Sequence, residues 1–592
     1  HRVVLIQWRA MKRIVADLVA QALPALPELA EAADGIALSG TVERTRDASH
    51  GDFACNIAMR LAKPARRKPR DIAAMIVDAL PDSDAVDKVE IAGPGFINFY
   101  LSPQAFHAEL RSILDEGERY GRQPKKSGPK INLEFVSANP TGPLHVGHGR
   151  GASYGATVGN LLEAAGYPVH REYYVNDAGR QMDILGASVW LRWLEAQGVD
   201  VDFPKGGYRG EYIREIASAI DTSGIEPVTA EAVAAGLPEN SDENADAYVD
   251  ALVVRGRELH GQDGFDRIRQ QALESIRDEI REDLEEFGVH FDEWFSEQSL
   301  TKTNRVDDAL AVLEERGMLY EKDGAKWFPS MRYGDDKDRV VVRENGVKTY
   351  FASDIAYHFD KRERGFDHLI DILGADHHGY VTRVRGGLEA MGYEAEDLEV
   401  QFVQFVTLYR SGKRVQMGTR SGQFDTLRQL REEVGNDAAR FYYVSRSNDQ
   451  HLDFDLDVAK SQSNDNPVYY IHYAHPRVAS VYRQLAEKSL AWDEANGHAH
   501  LGLLVEPQEK ALMTSISRYP EVVELAANNR APQHVVHYLR DLANDFHTYY
   551  NAHAFIVDDA DLRDARLYLV SAARVVIANG LGILGVSAPE KM

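Results

Sequence analysis

Residues 131–150 read INLEFVSANPTGPLHVGHGR, and this stretch decides the fold. Ile131 to Val136 is a β-branched and aromatic run that predicts a strand, which Asn139, Pro140, Gly142 and Pro143 then break. The chain restarts at His145-Val-Gly-His148 in a pattern that predicts the first turn of a helix. Imidazoles at i and i+3 share one face of that turn, where unpaired backbone N–H groups and the positive helix end favour an anion. Gly147 removes a side chain between them, leaving room for a flat ring against the backbone. Strand, loop and anion-binding helix start are what a nucleotide triphosphate site needs. Taken alone, HxGH also fits a capped helix with two surface histidines, so its surroundings must decide.

From Ile131 onward strands and helices alternate, which predicts a Rossmann-type doubly wound parallel sheet. Tyr174, Asn176 and Asp177 end a second strand and would face the ligand crevice, although Asn-Asp-Ala-Gly is also an ordinary turn. In KTYFASDIAYHFDK (348–361), Tyr350 and Asp354 lie one helical turn apart. A carboxylate with hydroxyl or aromatic support suits a planar, permanently charged guanidinium, and Glu134 of the first strand can join it. Asp354 equally fits as a helix N-terminal carboxylate facing the dipole. LIDILGADHHGY (369–380) reads as a buried strand ending in Asp376-His377-His378. Neighbours at a strand end point apart, so this tripeptide is a poor ligand set and no metal centre is expected.

HVGH resembles the HIGH signature of class I aminoacyl-tRNA synthetases, and EFVSANPTGPLHVGHGRGA is similar to the arginine-specific members. The resemblance runs over nearly the whole chain. It implies that Tyr350, Asp354 and Glu134 bind the substrate guanidinium and that Asn139 binds the α-amino group. Tyr174, Asn176 and Asp177 would belong to the substrate pocket. Asp376 would lie near the adenosine ribose and His377 near the amino acid.

A chain of 592 residues predicts three to four domains. Hydrophobic content of 44% and charge of 27% are ordinary for a folded protein. Cys55 is the sole cysteine, which rules out an internal disulfide and argues against a Cys-rich zinc site. The cytoplasm is the expected compartment. Residues 1–10 have too short an apolar run for a signal peptide, and Met11 reads as the natural start with an extension before it. The apolar window Leu567 to Val586 is interrupted by Arg574, Asn579 and three glycines, so a buried helix is expected rather than a membrane span.

The net charge of −25 looks wrong for a nucleic-acid partner, but it is unevenly placed: residues 221–300 carry 21 acidic and 6 basic side chains. Near the front, Arg60, Lys63, Arg66, Arg67, Lys68 and Arg70 form a basic run, and local patches decide phosphate binding.

Residues 11–120 read as an N-terminal α/β module, with two strands around Gly93-Pro94-Gly95. Its basic run is either an RNA contact or a solvated helix face. GDFACNIAMRLAK and GPGFINFYL are similar to the family's N-terminal domain, which contacts tRNA and would use Arg60, Arg66 and Arg67. Residues 121–457 would be the catalytic domain, with an acidic helical insertion at about 195–300 resembling the class I connective insertion. Residues 458–592 read as all-helical and are similar to the family's anticodon-binding domain. Tyr473 and Arg477 suit stacking on unpaired bases, although tyrosines at helical spacing also suit a core.

The chain departs from the family at the second class signature, KMSKS. Here Gln416-Met417-Gly418-Thr419-Arg420-Ser421-Gly422 stands in its place, with Thr419 at a lysine position. Some family members place a compensating lysine just before HIGH; this chain has Gly142 there. A cation near the β,γ-phosphates is worth several kcal/mol, on the order of one catalytic donor or more, so Arg420 is the first candidate, then Lys413 or Arg414. The resemblance implies ATP binding by His145, Gly147, His148, Asp376, Met417, Gly418, Thr419 and Arg420, with His145, His148 and Arg420 catalytic. It implies an ATP-dependent ligase joining L-arginine to its tRNA, with Mg²⁺ accompanying the nucleotide. A monomer without membrane attachment is expected. A non-catalytic tRNA-binding relative and a nucleotidyltransferase for a small metabolite are the two rivals.

Overall fold

The computed structural model describes residues 11–125, 128–375, 378–415 and 426–590. Strand β1 (Ile131–Glu134) is buried at every position, and helix α1 (Val146–Ala164) follows it. β2 (Val169–Val175) and β3 (Glu293–Ser296) extend the sheet on one side of β1. β4 (His368–Gly374) and β5 (Leu398–Val403) extend it on the other. The order is β5-β4-β1-β2-β3 and every neighbouring pair is parallel. Strand order reverses between β1 and β4, which opens a crevice at their carboxyl ends. Gly155 lets α1 lie close on the sheet, since a Cβ there would fall 2.3 Å from the Phe135 ring.

After helix α2 (Arg180–Ala196), helices α3 (Glu211–Ala219) and α4 (Ala245–Glu286) lie in the acidic insertion, with α4 kinked at Gly261. That stretch reads as poor in strands, yet its end forms β3. Four residues, EWFS, are too few to show a strand period. Helix α5 (Tyr350–Glu363) starts at Tyr350 and is capped by Thr349, whose side chain accepts the Ala352 N–H. A small antiparallel sheet of Tyr320–Lys322, Ala325–Phe328 and Arg339–Val342 precedes it.

Strand register aligns Asp371, Glu134, Glu172 and Glu293 as a row of four carboxylates across adjacent strands. Like charges directly opposite one another are destabilising, so the row demands cations. Helix α5 provides them. His358 Nε2 meets Asp371 Oδ2 at 2.6 Å, and the fully buried Lys361 donates to Glu134 Oε2 at 2.6 Å and Asp371 Oδ1 at 3.0 Å. Arg364 Nη1 donates to both Glu172 and Glu293 at 2.7 Å. The two carboxylates flanking Lys361 hold its ammonium charged in spite of its burial.

Apart from the end of α1 from Asn160 onward, these elements lie in one compact unit, Ser127–Gly159 with Pro168–Lys460. The other unit joins the chain up to Lys126, Asn160–Tyr167 and Ser461 onward. Its N-terminal part is a four-stranded antiparallel sheet in the order Val42–Arg44, Phe53–Cys55, Phe96–Leu101, Val86–Ala92. Val15, Val19, Ile57, Ile72 and Phe99 pack its core. The C-terminal part is helical and includes Gln533–Ala552 and Ala560–Leu584. The latter is long and apolar enough to cross a membrane, but 67% of its most apolar window is buried inside the protein. Within this unit Arg44 makes a bidentate pair with Glu521 at 3.0 and 2.9 Å, and Lys12 pairs with Glu524.

Candidate active site

A cavity of about 520 Å³ opens at the carboxyl ends of β1 and β4. Glu134, Asn139, His145, Gly147, His148, Tyr174 and Asn176 line it, joined by Gly151 and Phe405. The chain enters it through Val136 and Ser137, both left-handed at φ 67° and 41°. For a β-branched valine this conformation costs on the order of 1–3 kcal/mol, the kind of strain that gathers at functional sites.

His145 precedes the first helical residue, Val146. Its ring stacks on His148 at 3.6 Å between centroids. His148 Nδ1 accepts the His145 backbone N–H at 3.2 Å, and His145 Nδ1 accepts the Gly147 N–H at 3.0 Å. A backbone N–H can only donate, so each ring carries its proton on Nε2 while neutral. Burial, with the His145 charge as the lesser cause, lowers His148 to about 3, so it stays neutral at physiological pH. Each ring turns an Nε2–H donor away from these backbone contacts. The expected room against Gly147 is taken by the His145 ring, since a Cβ there would lie 2.9 Å from its Cε1. Gly151, one turn along, faces open space.

Across the cavity, Asn176 Nδ2 donates to Asn139 Oδ1 at 3.2 Å. Glu134 is present but occupied: Lys361 holds Oε2 and Ser137 Oγ donates to Oε1 at 3.0 Å. Tyr174 stacks on Phe295, meets Tyr357 at a tilt and hydrogen-bonds Glu297. Asp354 pairs with no lysine or arginine among the described residues. Burial raises its carboxyl to about 7; His358 opposes this, while Glu297, Glu134 and Asp371 add like charge. Tyr350 is 72% exposed, with its hydroxyl beside Gly179.

Glu297 escaped the sequence reading. It is buried, its Oε2 has no hydrogen-bond partner, and burial with the nearby Asp177 raises it to about 7. Asp177 does not line the cavity. It accepts from Ser296 Oγ and from the Gln298 N–H at 3.0 Å, bracing the residues on either side of Glu297. Glu297 directly follows β3, so the rule that selected Asn176 after β2 would have found it had β3 been recognised. Asp376, His377, Met417, Gly418, Thr419 and Arg420 lie outside the described residues. Lys413 and Arg414 form a short exposed strand against Tyr409 and Arg410.

His170, Glu172 and Glu293 bring ligand atoms within 4.8 Å of one another, as a metal site would. Arg364 already bridges both carboxylates, so their charge is met by a guanidinium.

In the other unit, Tyr473 is 37% exposed and stacks on Tyr469 with centroids 6.0 Å apart. The Arg477 guanidinium lies 4.7 Å from the Tyr473 ring centroid and 4.6 Å from that of Tyr550, a residue the sequence did not single out. Arg60 and Arg66 are exposed, whereas Arg67, also exposed, is paired with Glu28.

A parallel sheet reversing between β1 and β4, with paired imidazoles opening the helix after β1, defines a catalytic fold of the class I aminoacyl-tRNA synthetase kind. Family profiles match in three segments. Residues 12–101 match the arginyl tRNA synthetase N terminal domain, 109–452 the class I (R) tRNA synthetase catalytic domain, and 471–592 the DALR anticodon binding domain. An arginine–tRNA ligase of Thioalkalivibrio sulfidiphilus is 56% identical over 98% of this chain and 100% of its own. One of Legionella pneumophila strain Paris is 51% identical over 99% of this chain and 100% of its own. Among solved structures, a putative arginyl-tRNA synthetase from Campylobacter jejuni superposes with a TM-score of 0.70 at 32% identity, covering 83% of this chain and all of that one. The Thermus thermophilus arginyl-tRNA synthetase shares the fold at a TM-score of 0.74 and 22% identity, over 98% of this chain and 100% of its own. The chain belongs to the arginyl-tRNA synthetase family.

Proposed function

We infer that this protein is an arginine–tRNA ligase. It activates L-arginine with ATP to arginyl-adenylate and pyrophosphate, then transfers the arginyl group to the terminal adenosine of its tRNA. The observation that carries the reading is a cavity that joins two stacked imidazoles to Asn139, Asn176 and Tyr174, with Asp354 and Glu297, which pair with no lysine or arginine among the described residues, close behind Tyr174.

The arginine carboxylate attacks the α-phosphorus of ATP and pyrophosphate leaves. No protein nucleophile is needed, so positioning and charge stabilisation do the chemistry. His145 and His148 donate Nε2–H to phosphate oxygens. The adenine lies toward Gly151, where the helix surface is open, rather than against Gly147. Asp354 and Glu297, supported by Tyr350 and Tyr174, hold the guanidinium from two sides, and Asn139 and Asn176 take the α-amino group. Glu134 acts chiefly as the Lys361 partner that forms the pocket floor. Arg420, with Lys413 or Arg414, supplies positive charge to the β,γ-phosphates. Mg²⁺ would arrive with the nucleotide. In the second step the 2′-hydroxyl of the terminal adenosine attacks the adenylate carbonyl and AMP leaves. Tyr473, Arg477 and Tyr550 offer stacking surface to anticodon bases, and Arg60, Arg66 and Arg67 offer phosphate contacts.

Arginine- and tRNA-dependent exchange of pyrophosphate into ATP tests this. A binding module shows no exchange, and a metabolite nucleotidyltransferase shows exchange without tRNA binding. Asp354→Ala should lose arginine selectivity while ATP binding survives; unchanged arginine affinity would discard the pocket.

A further inference from the structure

The loop between β1 and α1 carries Asn139 at one end and His145 at the other, so its shape sets the distance between amino-acid and phosphate contacts. Its far end is fixed by the segment beginning at Thr426: the Leu427 N–H donates to the Leu144 carbonyl at 2.8 Å, and His145 forms a β-bridge with Thr426. Its middle, at Thr141 and Gly142, is gripped by the acidic insertion. Tyr212, in the first turn of α3, donates its hydroxyl to the Thr141 carbonyl at 2.6 Å. Tyr208 reaches the Thr141 side chain with a second hydroxyl. The Tyr212 ring also fills the space over Gly142, where a Cβ would lie 3.0 Å from the phenol oxygen. Any side chain at 142, including a lysine aimed at the phosphates, must displace it.

We propose that Tyr212 is a positioning residue for adenylate formation. The insertion reaches the reaction through this hydroxyl, which fixes the Thr141 carbonyl and hence the loop that presents His145 to the triphosphate. Burial raises the phenol to about 12, so the hydroxyl remains a donor throughout the working range of pH. Tyr208 meets the Thr141 side chain and the Thr141 N–H donates to the Asn139 carbonyl at 2.8 Å, but the Thr141 carbonyl itself is fixed by Tyr212. Without Tyr212 the loop keeps its far anchor and, at its start, the Tyr173 hydroxyl on the Ala138 carbonyl at 2.9 Å and the Asn176 amide on Asn139, but the Thr141 carbonyl between them is released, and His145 gains freedom where reaction needs it fixed.

The inference rests on the assignment of His145 to the phosphates, and the test separates the two. Tyr212→Phe removes one hydroxyl and keeps the ring. In pyrophosphate exchange with tRNA present, kcat should fall about fivefold and the ATP KM rise about threefold, the worth of one neutral hydrogen bond felt at the nucleotide. The arginine KM and the thermal midpoint should not move. Values of kcat and ATP KM within about 1.5-fold of the parent would overturn the proposal, as would an arginine KM rising as far as that of ATP. His145→Asn is measured alongside. If it abolishes exchange while Tyr212→Phe does nothing, the phosphate assignment stands and Tyr212 falls. If His145→Asn leaves exchange intact, the assignment itself is wrong and the Tyr212 proposal falls with it.

Discussion

Arginine affinity should depend on pH through neutrality, because the pocket holds two acids that are half protonated when empty. Asp354 and Glu297 each sit near 7. A guanidinium binds their charged forms, so protons must leave as arginine enters. For one group with a pKa near 7, the ionised fraction falls from about nine-tenths at pH 8 to about one-tenth at pH 6, a roughly tenfold loss of affinity. Two such groups set a ceiling of about a hundredfold. Glu297→Gln separates them. It removes one titrating acid and the like charge that helps raise Asp354, so the pH dependence should shrink below about tenfold and move to lower pH. At pH 8 the variant should bind arginine about 10–100-fold more weakly, the worth of one charge-assisted contact. The assay is the arginine KM in pyrophosphate exchange at pH 6, 7 and 8 with saturating ATP and tRNA. Calorimetry in buffers of different ionisation enthalpy counts the released protons. An arginine KM flat across that range, or a parent and variant with the same slope, would refute the argument.

Stability should move the opposite way to binding. The native state holds a proton on Asp354 up to about 7 that the unfolded chain releases near 4, so stability falls as pH rises across that window. Asp354→Asn removes this cost and should stabilise the catalytic unit by on the order of 2–4 kcal/mol at pH 7.5, read by denaturant unfolding of parent and variant. Lys361→Met strips the cation from between Glu134 and Asp371 and should destabilise by about 3–5 kcal/mol, part of it regained in the double variant with Glu134→Gln. No gain in the double variant would mean that the row is not held by this pairing. Arg477→Ala or Tyr473→Ala should weaken tRNA binding about tenfold, as loss of one stacking partner does, with the arginine KM unchanged. Equal tRNA affinity in a filter or fluorescence titration would remove both from the RNA surface.

The parts legible in the sequence were those carried by contiguous chain. The β1–loop–α1 segment announces itself by strand chemistry, loop punctuation and paired histidines, and the structure assembles its residues in one cavity. The one-turn spacing of Tyr350 and Asp354 was legible because both lie on one helix, although neither is among the residues lining the cavity. Glu297 was not, because it lies in an acidic stretch where one more glutamate carries no signal and its strand is four residues long. The carboxylate row was hidden for another reason. Asp371, Glu134, Glu172 and Glu293 are far apart in the chain and meet only through the register of parallel strands, which periodicity cannot supply. Glu134 illustrates the cost: as a lone acid at a strand end it reads as a substrate ligand, while in three dimensions a lysine already claims it.

Helix α5 is bolted to the sheet from below by His358, Lys361 and Arg364, while Tyr350 and Asp354 project from its opposite end. His358 ties the two ends together, since its Nδ1 donates to the Asp354 carbonyl at 2.8 Å while its Nε2 meets Asp371. A change at either end of this rod therefore reaches the other, and any redesign of the tips has to carry the carboxylate row with it.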